Sequence, residues 1–331
     1  MKKSLRVGLV GAGMISRHHL IAWSRTDRSD VVAICDPDKN RAAERAAEFG
    51  IPRVFENAAE MLAEEKFDAI DVASPRETHV EMVHLSAERG IPVLCQKPLA
   101  PTLMEAERLV ADVAGQTRLM VHENWRFRPQ YRKIKSWIDA GRTGPLHSCF
   151  LTFRSSGFLP DANGHRVALE RQPFMQYERY LMIREVLIHH IDVVRWLLGP
   201  LRLVGARAGK RVPDIKGETC ATIFFETADG RPVVVDGDFA VAGFSPRATD
   251  RFELLGGEAS IRFVDDTLEL LGPAAEKQII NLDAAYQESF NATIAHFVEC
   301  IVSGADFETD GPDNLLTLRL VEEAERSAGL R

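Results

Sequence analysis

The first third of the chain alternates short apolar runs with segments whose apolar residues recur at helical spacing. "RVGLVGAG" (6–13) is a β-branched run ending in glycines, and "ISRHHLIAWSRT" (15–26) follows with helical periodicity. "VVAICD" (31–36) predicts a buried strand, and "KNRAAERAAEFG" (39–50) predicts an alanine-rich helix with Gly50 as its C-cap. Further strands at "RVF", "AIDVAS" and "PVLCQK" alternate with helices at "NAAEMLAEE" and "HVEMVHLSAERG". Repeated βα units with buried strands predict a doubly wound parallel sheet of the α/β class.

The pattern changes in the second half. "LHSCFLTFR", "TCATIFFETADGRPVVVDGDF", "RFELLGGEASIRFV" and "TLELLG" are strands joined by turn signals such as Asp229-Gly230 and Gly256-Gly257. They predict an α+β domain with a large, open, mainly antiparallel sheet flanked by helices. "REVLIHHIDVVRWLLG" (184–199) reads as one amphipathic helix ahead of most of that sheet, and two further helices close the chain. The expected division is 1–122 for dinucleotide binding and 123–331 for substrate binding and oligomerisation. The side on which the terminal helices pack is left open.

At 331 residues the chain exceeds one ordinary core, which supports two domains. Its net charge of −7 is spread over mixed acidic and basic positions, which argues against nucleic acid or an anionic membrane as a partner. The five cysteines are scattered and never form C-x-x-C, as expected of free thiols in a reducing compartment. Arg6 interrupts the apolar run behind the first lysines, and no stretch reaches the roughly 20 apolar residues of a membrane span. A cytoplasmic protein is expected.

The glycine-rich turn is the first sign of chemistry. Gly11, Gly13 and Ser16 occupy the G-x-G-x-x-G positions between a strand and a helix. The first allows a tight turn, the second lets the backbone approach a pyrophosphate, and the third must be small for helix and strand to pack. Backbone N–H groups at Met14 and Ile15, with the helix dipole, would then meet the phosphates. Asp36 ends the second strand, where a carboxylate would bind ribose hydroxyls and repel a 2′-phosphate. NAD is therefore favoured over NADP, although Asp36 could simply form the turn before Pro37, and Lys39 and Arg41 keep dual specificity open. Lys97 ends the fifth strand, and a lysine at the carboxyl end of a parallel strand points into the ligand crevice.

"GAGMIS", "ASPRETH", "CQKPLA", "NWRFRPQY" and "EVLIHHIDVVRWLLG", in that order, resemble the Gfo/Idh/MocA family of NAD(P)-dependent oxidoreductases over nearly the whole chain. Members act mostly on sugars and cyclitols. The resemblance implies an N-terminal Rossmann domain and a catalytic Lys97, in a Gln96-Lys97-Pro98 variant of the common Glu-Lys-Pro. It implies that Ser74, Pro75, His79 and Gln96 lie near the cofactor. Asn124, Trp125 and Arg126 would lie near nicotinamide and substrate, with Arg154 lining the pocket. The family motif resembles D-x-G-x-H-x-x-D-x-x-x-W-L-x-G; aligned on "RWLLG", it puts Glu185 at the first carboxylate, His189 at the catalytic histidine and Asp192 at the last carboxylate. Glutamate for aspartate at 185, leucine for glycine at 187 and "FMQYERYLMIR" in place of a glycine run are departures.

Helix spacing agrees, because positions i, i+4 and i+7 share a face. Three readings of that face compete: a core histidine with solvated carboxylates, a metal site needing ligands from elsewhere, and acid–base chemistry. The third is preferred and no metal is expected. His189 would be the base, Glu185 its partner or a substrate contact, and His190 a further polar contact. The expected activity is hydride transfer from a sugar or polyol hydroxyl to NAD, with Lys97 stabilising the reacting oxygen. "QKP" and "EVLIHHID" resemble the aldose 1-dehydrogenase branch, apiose dehydrogenases among them, which implies oxidation of the anomeric C1 to a lactone. The alternatives are an NAD-dependent glycosidase with transient redox and a catalytically silent sugar- and NAD-binding regulator. Arg166, Phe174 and Tyr177 in the long loop at 155–180 are further candidate contacts. The far face of the antiparallel sheet needs a cover, so a homodimer or homotetramer is expected.

Overall fold

The computed structural model of the chain describes residues 4–247 and 249–331. Its first sheet holds β1 (Leu5–Val10), β2 (Ser29–Cys35), β3 (Arg53–Phe55), β4 (Ala69–Val72), β5 (Val93–Gln96) and β6 (Leu119–His122). All pairs are parallel and the order is β3-β2-β1-β4-β5-β6. Every residue of β4, β5 and β6 is buried, which is why these strands are mostly apolar rather than alternating, with one buried polar residue each at Asp71, Gln96 and His122. The intervening helices are α1 (Met14–Trp23), α2 (Lys39–Phe49), α3 (Ala58–Glu64), α4 (His79–Ala87) and α5 (Leu103–Val113). Asp38 caps α2 by accepting from Asn40 and Arg41, and Gly50 ends it at φ +69°. The strand order reverses between β1 and β4, so a ligand crevice opens at their carboxyl ends.

The second sheet has eight strands: β7 (Leu146–Arg154), β8 (Leu201–Gly209), β9 (Cys220–Thr227), β10 (Pro232–Asp238), β11 (Thr249–Gly256), β12 (Ser260–Val264), β13 (Thr267–Leu271) and β14 (Glu276–Ile279). Their order is β14-β13-β12-β11-β7-β10-β9-β8; only β7 and β10 pair in parallel. Burial alternates strictly along β10, so Val233, Val235 and Gly237 face inward and Val234, Asp236 and Asp238 outward. The remaining helices are α6 (Pro129–Asp139), α7 (Val167–Arg171), α8 (Ile188–Leu198), α9 (Leu282–Ser303) and α10 (Gly311–Ser327). Strands β6, β8 and β14 and helices α5 and α6 are absent from the expectations above. β6 is a four-residue run, β8 and β14 mix apolar and charged residues, and α5 and α6 bury one stripe each through Ala106, Leu109 and Val113 and through Tyr131, Ile134 and Trp137.

The chain forms two compact units. The first runs to Arg128 and takes in Asp283–Leu316; the second is Pro129–Leu282 with Thr317–Arg331. The first unit recruits α9 because Phe290, Ile294, Phe297 and Val298 join Val7, Trp23, Ala69, Leu94 and Met120 in one apolar cluster. That settles the side on which α9 packs. Among the described residues no helix is long and apolar enough to cross a membrane.

Candidate active site

The chain leaves β1 through Gly11, at φ +100°. A Cβ there would lie 2.6 Å from the carbonyl oxygen of Ala73, at the exit of β4. Only glycine meets both demands. Gly13 is the N-cap of α1, no side chain caps that helix, and a Cβ at Gly13 would meet nothing within 4 Å. Ser16 is fully buried and donates its hydroxyl to the Gly13 carbonyl at 2.7 Å. The loop is thus braced from beneath by Ala73 and Ser16 and open above Gly13. The side chain of Ile15 packs against two apolar clusters of the unit. Asp36 accepts from the Ala12 N–H at 2.8 Å and from the Asp38 N–H at 2.9 Å. Each carboxylate oxygen retains a second lone pair for a hydroxyl. An uncapped helix start, an open glycine and a held carboxylate fit the pyrophosphate and ribose of a dinucleotide.

Two neighbouring strand exits complete this side. His79 is buried; its Nε2 lies 2.9 Å from the Ser74 carbonyl and its Nδ1 2.9 Å from the Pro98 carbonyl. Burial lowers its pKa from the ordinary 6.5, against the pull of those carbonyls. The ring links the turn after β4, where Ser74 and Thr78 hydroxyls meet at 2.7 Å, to the turn after β5. Pro75 precedes the short helical turn Arg76–Thr78 that carries the chain into α4. Lys97 follows the last residue of β5, its peptide bond to Pro98 is cis, and its N–H is held by the Gln96 side chain at 3.0 Å.

The stretch after β6 is an internal brace. Asn124 donates to the Ser289 hydroxyl on α9 at 2.8 Å, and Trp125 lies under the Arg128 guanidinium at 3.5 Å. Arg126 is 2% exposed and donates to the Glu308 carbonyl and the Asp313 carboxylate, both at 2.8 Å. It thereby clamps the segment that bonds to β6 through Thr309 and Val121. The expected substrate contact at Arg126 is corrected: its charge is used inside the unit.

In the second unit the expected single helix over 184–199 is also corrected. Met182–Leu187 winds as a π-helical turn and only then does α8 begin. Glu218 holds the start of that turn by accepting from the N–H groups of Leu181 and Ile183 at 3.2 and 3.1 Å, and burial raises its pKa. Gly237 lets the turn sit close to the sheet: a Cβ there would lie 2.8 Å from Met182 Sδ. The wider turn carries Glu185, and π-turns recur at functional sites.

Glu185 and His189 keep 9% and 7% of their surface, whereas His190 and Asp192 keep none. His190 sits with Nε2 2.8 Å from Asp250, which also accepts from Tyr131 at 2.9 Å; Nδ1 lies 3.2 Å from the Val186 carbonyl. With both nitrogens engaged and no exposure, the expected substrate role of His190 is corrected to an internal one. Asp192 accepts from the Thr317 hydroxyl at 3.0 Å and from Arg195 at 3.4 Å. Arg154 pairs with Asp236 on the outward face of the sheet, while Phe153 beside it meets His190 edge-on from the inward face. Strand alternation therefore turns Arg154 away from α8, and its expected place in the pocket is corrected. Arg166 pairs with Asp214 at 2.5 Å; Phe174 and Tyr177 are exposed.

A six-stranded parallel sheet in this order, with an uncapped helix above a glycine turn and an acidic residue ending β2, defines a dinucleotide-binding protein. Residues 5–124 match the model described as the oxidoreductase family with an NAD-binding Rossmann fold, and 131–262 match the Gfo/Idh/MocA C-terminal domain. The chain belongs to the Gfo/Idh/MocA family of NAD-dependent oxidoreductases. It is 31% identical to a D-apiose dehydrogenase of Paraburkholderia graminis, over 98% of this chain and 88% of that one. It is 30% identical to inositol 2-dehydrogenase 4 of Saccharopolyspora erythraea, over 78% and 74%. An oxidoreductase from Agrobacterium radiobacter, solved with NAD+, L-tartaric acid and magnesium, superposes with a TM-score of 0.92 at 29% identity, covering 99% of this chain and 97% of that one.

Proposed function

We propose that the chain oxidises a hydroxyl of a sugar or polyol, in the finest reading the anomeric C1 of an aldose to its lactone. The observation that carries this is Lys97, which follows β5 at the carboxyl edge of the NAD-binding sheet and is tied through His79 and Pro98 to the turn beside the glycine loop. The names of the relatives, dehydrogenases of D-apiose and inositol, support the substrate class. NAD, when bound, accepts the hydride that leaves the carbinol carbon. His189 takes the hydroxyl proton, Glu185 orients its ring or holds a second hydroxyl, and Lys97 hydrogen-bonds the oxygen as its negative charge grows. The first unit holds the cofactor and the second supplies substrate contacts.

We also propose a homodimer or homotetramer formed through the outward face of the large sheet. Phe150, Val234 and Phe224 stand in register across β7, β10 and β9 there, and Phe150 and Phe224 are exposed. Light scattering after gel filtration tests it, and a monomer at micromolar concentration would refute it.

The test of the activity is nicotinamide absorbance with a panel of aldoses, polyols and inositols, with NAD and NADP supplied separately. NADH formation from aldoses alone supports C1 oxidation, and formation from inositols moves the reaction to a ring hydroxyl. Bound NAD with no net reduction on any substrate overturns the dehydrogenase reading in favour of a glycosidase or a silent binder.

A further inference from the structure

Behind Lys97 lies a polar cluster inside the first unit. The Lys97 N–H is an obligatory donor, and Gln96 Oε1 accepts it at 3.0 Å. This fixes which way the amide faces. Its Nε2 then sits 2.8 Å from His19 Nε2 and 3.4 Å from His122 Nδ1. Both ring nitrogens must accept, so each histidine carries its proton on the other nitrogen. For His19 that is Nδ1, which donates to Asp71 at 2.8 Å; Trp23 donates to the same Asp71 oxygen at 2.7 Å. For His122 it is Nε2, which finds no partner among the described residues. His19, Asp71 and His122 are wholly buried, and the two rings lie 4.3 Å apart.

We propose that Gln96 is a positioning residue: held by His19 and Asp71, it locks the backbone at Lys97 through an amide that only two neutral histidines can receive. The catalytic consequence rests on the dehydrogenase reading; the network does not. Four elements converge on one peptide: α1 through His19, β4 through Asp71, β6 through His122 and β5 through Gln96 itself. The other groups facing the cluster do not supply a competing proton. Cys95 is held as a thiol by burial and by Asp71, burial and the His19 ring hold His122 well below the usual histidine range, and from α9 the uncharged Phe290 packs against both rings. His18, stacked on Phe290, is bonded to Gln287 at 2.7 Å. A carboxylate at position 96 would present only lone pairs to His19 Nε2 and His122 Nδ1. One extra proton would have to enter the cluster to restore a hydrogen bond.

The experiment compares Gln96→Glu with the uncharged, near-isosteric Gln96→Met. Gln96 is expected near the cofactor, so NAD binding of both variants is measured by calorimetry and kcat is read at saturating NAD. In kcat against pH, Gln96→Glu should add an ionisation absent from the unmodified chain, with activity kept at low pH and falling about tenfold where the extra proton is lost. Gln96→Met should lower kcat at every pH without changing the shape of the profile. Imidazole 15N spectra, assigned with His19→Gln, should show His19 protonated on Nδ1 and His122 on Nε2 in the unmodified chain, and His19 doubly protonated in Gln96→Glu. Amide exchange at Lys97 should speed up about tenfold in Gln96→Met. A His19 proton on Nε2 in the unmodified chain, or unchanged Lys97 exchange in Gln96→Met, overturns the network. Unchanged kcat profiles with the network intact overturn its catalytic role. The spectra and exchange need no substrate, so failure of the dehydrogenase reading would show separately, as absent turnover with an intact network.

Discussion

Gly11 packs so closely on Ala73 that a Cβ at Gly11 would stand 2.6 Å from the Ala73 carbonyl oxygen, whereas Gly13, two residues on, faces open space. The two glycines of one motif therefore serve different ends. Gly11 lets two strand exits meet, and Gly13 leaves room for a ligand.

Substitution should separate these roles. Gly11→Ala imposes a positive φ on alanine and a backbone clash, and should cost at least about 2 kcal/mol of stability along with NAD binding. Gly13→Ala should leave the melting temperature within about 2 °C and weaken NAD binding by tenfold or more. Denaturant unfolding and calorimetry of both variants check this; equal melting temperatures would refute the distinction.

Lys97→Ala should lower kcat by about 10²–10³ with NAD affinity little changed, as expected when a donor to the developing oxyanion is removed. His189→Asn should lower it by about 10²-fold. Steady-state kinetics beside a binding isotherm provides the readout, and full activity in Lys97→Ala would refute its assignment.

His190 and Asp250 form a buried pair at 2.8 Å, with Tyr131 on the second carboxylate oxygen. Asp250→Ala should cost about 3 kcal/mol, because it strands a buried imidazole and a phenol. Any folded fraction should keep its KM. A raised KM at unchanged stability would return His190 to the substrate site.

Burial holds both His79 and His122 below the ordinary 6.5. A histidine lowered in the folded state binds its proton more readily when unfolded. Its contribution to stability is therefore present above 6.5 and is lost as pH falls below that value toward the folded pKa. Each should add about 1.4 kcal/mol per pH unit to the slope of unfolding free energy within that window. Denaturant unfolding from pH 5 to 7.5 should show the slope, and His122→Asn should reduce it by about one proton.

Much of the first unit was legible because its signals are local. A β-branched run, a glycine turn and an amphipathic helix announce themselves within about 30 residues, and the spacing of Gly11, Gly13 and Asp36 follows from one βαβ unit. The paired histidines at 189 and 190 were visible too, but their separate fates were not. A π-turn rather than an α-turn precedes them, and the partner that distinguishes them, Asp250, lies 60 residues away.

The sequence alone determined the class of fold, the glycine turn and the identity of the chemical groups: a lysine at a strand exit and a histidine beside a carboxylate. The tertiary structure decided which charged groups are available. Arg126 is drawn inward by Glu308 and Asp313, Arg154 is turned outward by the pleat of β7, and His19, not singled out in the sequence, is carried by α1 against Asp71 and Gln96. A polar side chain's role depends on its partner and its exposure. Both arise from contacts between residues far apart in the chain, which local pattern does not encode.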